Sequence, residues 1–171
     1  TVTATLPAAL LLIFWWKTGR FARRHLVPVL PMLAVGAFAG SLTAWVEKHH
    51  VGTKYIDWDL SLLDRALIAG RAVWFYLGKL IWPAPLTFIY PRWQIDAHDL
   101  VAYLYPAAAL TAIGVLFVLR ARWGRGPLAA MLFFVGTLFP ALGFVDVFPM
   151  RFSFVADHFQ YLASLGPIVL V

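Results

Sequence analysis

The sequence predicts an all-α fold, a polytopic transmembrane helix bundle with one amphipathic interfacial or re-entrant helix. Three observations carry this expectation. Hydrophobic residues make up 62% of the 171 positions and charged residues only 13%, against about 25% charged in a typical soluble domain. The apolar residues gather into runs of about 20, roughly one bilayer crossing each. The basic residues collect in short gaps between those runs, the pattern that orients membrane proteins.

The first run, residues 1–16, would rise only about 24 Å as a helix, short of a hydrocarbon core of ~30 Å. It opens without a charged region and does not read as a signal peptide. Residues 26–46 form the second span. Pro28 and Pro31 near its start are tolerated better in a membrane bundle than in water. Gly36 and Gly40 make a GxxxG pair that permits close helix contact. Residues 100–119 and 127–144 are further spans, with Pro106 and Pro140 near their ends. A fifth is expected over 154–171. Both chain ends read as cut, so residues 1–171 are expected to be part of a larger membrane domain.

The charges suggest a topology. Lys17, Arg20, Arg23 and Arg24 fill the first short gap, and Arg120, Arg122 and Arg125 fill the gap before Pro127; neither contains an acid. The positive-inside rule places both in the cytoplasm and the acidic segments on the outer face. The stretch "RALIAGRAVWFYLGKLIW", residues 65–82, must then not cross, since a crossing would separate the two basic gaps. Asp64, Arg65, Arg71 and Lys79 share an arc of about 120° if it is helical. It reads as an amphipathic helix on the outer interface or re-entering the bundle; a crossing helix with paired charges is the alternative. Trp15, Trp16 and Trp123 then mark inner boundaries, and Trp45, Trp82 and Trp93 outer ones.

Some function classes drop out. Without cysteine, no disulfide framework or thiolate metal site exists. The net charge of +6 is explained by residues flanking spans, so nucleic acid is not an expected partner. A transporter would need ionisable residues deep in several spans, and 26–46, 100–119 and 127–144 offer no charged one.

The outer segments hold the varied polar residues. In "EKHHVGTKYIDWD", Glu47, His49, His50, Asp57 and Asp59 could approach a metal. Adjacent histidines on a helix point about 100° apart, so a solvated loop is the reading and no metal ligand is assigned. Asp96 and Asp99, before the run at Leu100, read as an N-cap and a first-turn acid. Tyr90 and Arg92, between prolines and aromatics, suit either a phosphate or a lipid headgroup. The last segment is "RFSFVADHFQYLASLGP". As a helix capped by Ser153, it would put Ser153, Asp157, Gln160, Tyr161 and Ser164 on one face of about 100°. An acid on such a face lines a cavity or the bundle interior. The alternative is a structural Asp157 that caps the helix or pairs with Arg151. His158 points away from Asp157, so the two are not expected to act as a dyad.

"TVTATLPAALLLIFWW", "YLGKLIWPAPLTFIYP" and "FVADHFQYLASLG" together resemble, in order and over nearly the whole chain, the transmembrane and tetratricopeptide-repeat proteins. These are C-type glycosyltransferases that include protein O-mannosyltransferases, with many bacterial relatives. The family pattern in the last stretch runs approximately V-A-D-R-Y-L-Y-L-P-S. Val155, Ala156, Asp157, Tyr161, Leu162 and Ser164 match it. His158, Phe159, Gln160 and Ala163 replace arginine, tyrosine, leucine and proline.

The resemblance implies a membrane enzyme that transfers a sugar on the periplasmic or luminal face. Its donor would be a polyprenyl- or dolichyl-phosphate sugar and its acceptor a protein or glycan. The catalytic carboxylate is expected in an outer loop before Thr1, and a repeat domain after Val171. Within this chain, Arg151, Arg92, Tyr90, Arg71 and Lys79 would bind the donor phosphate or lipid. Asp157, Gln160, Tyr161, Ser164 and His158 would line the cavity. The resemblance assigns no definite cofactor, and a divalent metal is the one candidate. Membrane lipid is a partner throughout, and the bacterial inner membrane suits the chain better than the endoplasmic reticulum. The alternative function is a non-enzymatic scaffold or accessory subunit of a larger membrane assembly.

Overall fold

The computed structural model describes residues 5–20, 23–50, 60–144, 150 and 152–170. Arg151, Asp57, Asp59 and Asp146 lie outside the described residues, as do the side chains of Glu47, His49 and His50. Among the described residues every regular element is a helix, with no strand.

Each helix begins and ends where its chemistry directs. Helix α1 (Leu6–Thr18) has Pro7 in its first turn, where the missing N–H costs nothing. It closes on Gly19, left-handed at φ 73°, whose N–H donates to Trp15 O at 2.8 Å. Helix α2 (Arg23–His50) carries Pro28 and Pro31 in its first three turns. Helix α3 (Leu62–Ile81) starts with a reciprocal cap. The Asp64 N–H donates to Ser61 Oγ at 3.2 Å, and Asp64 Oδ2 accepts from the Ser61 N–H at 2.9 Å. A 3-10 turn over Leu100–Tyr103 leads into α4 (Leu104–Trp123). Asp99 caps that turn by accepting from the Val101 N–H at 2.9 Å, and Asp96 accepts from the His98 N–H at 2.8 Å. Both acids therefore have structural partners. Helix α5 (Gly126–Leu138) gives way to a 3-10 turn, Phe139–Ala141, at Pro140.

The expected spans shift accordingly. The run over 100–119 becomes a helix that starts later and ends at Trp123. The run over 127–144 stops being α-helical after Leu138. The helix expected from 154 does not form: residues 152–156 carry no helix, Asp157–Gln160 is a 3-10 turn, and α6 spans only Leu165–Ile168.

Helix α5 is the hub. It packs against α1, α4 and α6, while α2 lies on α1 and α3 on α4. Helices α1 and α5 run in opposite directions: Trp16 neighbours Gly126, and Thr5 neighbours Gly136 and Thr137, across two shared clefts. The C-terminus of α1 thus meets the N-terminus of α5. Arg125 lies 6.0 Å over the Trp15 ring and its guanidinium rests against Gly19. Lys17, Arg20, Arg120, Arg122 and Arg125 consequently share one end of the bundle.

Helix α3 occupies the opposite end. A Cβ on Gly70 would come within 2.5 Å of Pro106 N, so α3 and the start of α4 touch backbone to backbone. Trp74 Nε1 donates to Tyr105 O at 2.9 Å, and Arg65 Nη1 donates to Gly143 O at 2.7 Å. The inward face of α3, with Ala72, Val73 and Tyr76, is buried with Phe134, Leu138 and Leu142, while Ile68 is buried with Met150 and Phe154.

Among the described residues, two helices are long and apolar enough to cross a membrane, with spans Leu26–Thr43 and Leu100–Trp123. Their apolar side chains form the outer surface. Val35, Phe38, Leu110 and Val118 are 67%, 69%, 70% and 75% exposed. A soluble protein rarely leaves continuous apolar surface open to water, whereas lipid is a suitable solvent for it. The chain is a helical integral membrane protein.

Candidate functional site

The richest side-chain chemistry lies at the α3 end, where α3, the loop 82–99 and the segment 152–164 meet. Arg71, Phe75 and Lys79 follow one another at i, i+4 and i+8, one stripe of α3. Tyr76, one residue further round, points inward and is fully buried.

Tyr76 fixes the third segment. Its hydroxyl accepts from the Ala156 N–H at 3.1 Å and lies 3.4 Å from Ala156 O, to which it donates. Ala156 is extended, at φ −150° and ψ 139°. With Ser153 as cap, Ala156 would be the third residue of the helix and its N–H would go to the Ser153 hydroxyl. Here Tyr76 takes that N–H instead, and residue 156 is extended where the first turn would be. Ser153 adds a local alternative, donating through Oγ to Val155 O at 2.7 Å and accepting from the Val155 N–H at 3.3 Å.

Tyr90 is buried and fastens the loop to the same segment. Its hydroxyl lies 3.0 Å from both carboxylate oxygens of Asp157, 3.2 Å from Pro85 O and 3.3 Å from the Thr87 N–H that donates to it. A phenol has a single proton. The charged carboxylate is the stronger acceptor, so Tyr90 donates to Asp157. Lys79 satisfies Pro85 O instead, with Nζ at 2.6 Å, and Ala84 O at 3.3 Å.

Around these bonds runs a continuous set of rings. Phe75 meets Tyr90 edge-on at 4.9 Å and Trp93 at 5.8 Å, and Trp93 reaches Phe154 at 6.5 Å. Cations cover this set. Arg71 lies 4.5 Å over Trp93, Arg92 lies 4.9 Å over Phe154, and Lys79 lies 5.2 Å over Tyr90. Neither Arg71 nor Arg92 has a hydrogen-bond acceptor or acidic partner among the described residues. Each guanidinium thus has donors without a partner among the described residues, above an aromatic face, an arrangement suited to a phosphate or carboxylate.

The structure brings together five of the expected residues: Arg92, Tyr90, Arg71, Lys79 and Asp157. Arg65, expected on the same arc, turns instead to Gly143. Arg151 is outside the described residues. The expected single polar face is corrected, because its residues separate once the helix is absent. Ser153 and Gln160 are buried, Tyr161 is 71% exposed, and the Ser164 hydroxyl donates to Tyr161 O at 2.9 Å. The buried Gln160 Oε1 has no partner among the described residues. His158 stacks on the exposed Phe88 at 5.6 Å and meets Phe159 at 4.5 Å, away from the Asp157–Tyr90 bond.

Sequence reasoning missed Phe75, Tyr76 and Phe154, and took Trp93 only as a boundary marker. The i, i+4, i+8 spacing of Arg71, Phe75 and Lys79 is a signal that could have found the stripe. Among the described residues no group of three or more metal-ligating side chains converges.

No family model matches the chain, and no solved structure matches it. Among curated proteins, a stretch of 74 residues is 35% identical to heme A synthase of Sinorhizobium fredii. The match takes in 41% of this chain and 20% of that protein, so the chain spans about a fifth of the length of the curated relative it matches.

Proposed function

We propose that the chain forms part of a membrane glycosyltransferase that uses a polyprenyl-phosphate sugar on the outer face of a bacterial inner membrane. One observation carries the reading: Arg71 and Arg92 stand over Trp93 and Phe154, with donors that have no partner among the described residues, beside Lys79. A lipid-phosphate sugar needs just such a site, with cations for the phosphate and rings for the sugar or the first isoprenoid units.

In the transfer, an acceptor hydroxyl attacks the anomeric carbon, the bond from that carbon to the phosphate oxygen breaks, and a base takes the hydroxyl proton. The negative charge that grows on the leaving phosphate is where fixed cations accelerate the step. Arg71 and Arg92 have that role here, and Lys79 adds positive potential while holding the loop. Asp157 already accepts from Tyr90, so it acts as a positioning residue for the loop that carries Arg92. The base is assigned to an acidic residue elsewhere in the enzyme. The acceptor is a protein or glycan.

Reconstituted full-length protein supplied with polyprenyl-phosphate sugar tests this. Hydrogen bonds to a charged group contribute about 1.5–3 kcal/mol, so Arg71→Gln and Arg92→Gln should each lower transfer about 10- to 100-fold. The loss should fall on donor KM and kcat together. Unchanged transfer in both variants would remove the site. No transfer by the wild-type protein with any lipid-phosphate sugar would favour a scaffold.

A further inference from the structure

A second site stands at the other end of the bundle. Helices α1, α5 and α6 border an open crevice of about 330 Å³, within the ~300–1,000 Å³ range of ligand pockets. Leu12, Trp16, Ala130, Phe133, Val169 and Leu170 line it, and its walls are almost wholly apolar. Its floor is fixed by close backbone packing, since a Cβ on Gly166 would come within 2.6 Å of Ala130 O.

Cations adjoin two of the lining residues. Lys17 lies 5.4 Å over the ring of Trp16, which lines the cavity, and Arg125, the neighbour of the lining residue Gly126, lies 6.0 Å over Trp15. Residues 17–25 and 120–126 contain no acid. Lys17, Arg125 and the Trp16 indole N–H have no hydrogen-bond or ion-pair partner among the described residues. Apolar walls beside cations and an indole donor match one chemistry, an acyl chain joined to an anionic head.

We propose that this crevice binds an anionic glycerophospholipid, with an acyl chain between α1, α5 and α6 and the phosphate at Lys17 and Arg125. A segment of polypeptide covering the crevice would have to supply the matching negative charge; an anionic phospholipid supplies it with its head. The site is separate from the α3 end and does not depend on the glycosyltransferase reading.

The test uses the purified full-length protein in neutral detergent, with bound lipid counted by native mass spectrometry. Phosphatidylglycerol should be retained about ten-fold more tightly than phosphatidylcholine with the same acyl chains. Lys17→Gln and Arg125→Gln should each weaken phosphatidylglycerol about five-fold, the worth of one juxtamembrane cation. Arg122→Gln removes the same loop charge away from the cavity and should change retention little. Filling the cavity with Ala130→Phe, or at its rim with Leu170→Trp if the first does not fold, should abolish retention. Equal retention of both lipids, or a phosphatidylglycerol preference that survives cavity filling, would overturn the proposal. So would absence of bound lipid from the wild-type protein, which would mean that the protein itself covers the crevice. Tighter retention of polyprenyl phosphate than of phosphatidylglycerol would overturn it too, in favour of a carrier-lipid site.

Discussion

At one end of the bundle Arg71 lies over Trp93 and Arg92 over Phe154; at the other, Lys17 lies over Trp16 and Arg125 over Trp15. The pairings use the same chemistry, but their supports differ. At the α3 end, three segments distant in sequence are bolted together by Tyr76 on Ala156 and Tyr90 on Asp157. At the basic end the rings belong to a single helix, and an apolar cavity lies beside them. The first arrangement suits a ligand that must be held in one orientation for a reaction. The second suits a flexible chain, where charge selects the head and the cavity tolerates the tail.

The sharpest way to break the comparison is to undock α3. Gly70→Leu drives a side chain into the backbone at Pro106, where no rotamer escapes. The cost should lie at or above the upper end of the ~1–3 kcal/mol typical of overpacking. The variant should lose glycosyl transfer and protease resistance near residues 60–99, while phosphatidylglycerol retention at the basic end is unchanged. Gly40→Leu is the control: a Cβ there meets nothing within 4 Å, so thermal stability should barely move. Loss of lipid retention in Gly70→Leu would show that the two ends are coupled.

Next in size is Tyr76→Phe. It keeps the packing and removes the hydroxyl, leaving the Ala156 N–H buried without its acceptor. An orphaned buried polar group costs about 1–3 kcal/mol. The melting temperature in detergent should fall and transfer should drop with it. A neutral outcome would mean that residues 152–156 hold their extended path without the clamp.

Much of this fold was legible in the chain. The apolar runs gave α1, α2, α4 and α5, and Pro7, Pro127 and Gly19 mark helix ends by their own chemistry. Ser61 and Asp64 at a capping-box spacing announce α3 more sharply than the arc of charges that began the stretch at Arg65. The segment 153–164 shows what a sequence leaves out. Its polar residues fall at helical spacing, and the spacing alone does not show what competes with the first turn. One competitor is local, Ser153 bonding to Val155; the other is Tyr76, eighty positions earlier, which claims the Ala156 N–H that the cap would have used. The site divides in the same way. Arg71, Tyr90, Arg92, Lys79 and Asp157 stood out as chemistry, but Phe75, Trp93 and Phe154 join them only through packing across segments.

Tyr90→Phe is a finer probe of the α3 end. It deprives the half-buried Asp157 carboxylate of its phenol donor. The cost should be about 1–2 kcal/mol, within the range for an unmade bond to a charged group. Asp157→Asn in the same background should recover part of that stability, because an amide carries no charge to desolvate. Donor KM should rise in Tyr90→Phe if Arg92 depends on the loop that Tyr90 fastens. A pure stability loss with unchanged KM would detach Arg92 from the Asp157–Tyr90 bond.

The smallest effect separates capping from chemistry. Ser61→Ala removes the acceptor for the Asp64 N–H and should cost about 1 kcal/mol, the usual worth of an N-cap. Asp64 would still offer its carboxylate to the Ser61-position N–H, so the first turn should fray without unfolding α3. Hydrogen exchange should quicken at residues 62–65 only, with Arg71, Phe75 and Lys79 protected as before. Because those three lie two turns or more beyond the cap, transfer should stay within a factor of two. A larger loss of transfer would mean that the first turn of α3, through Arg65 and Gly143, helps set the position of the stripe.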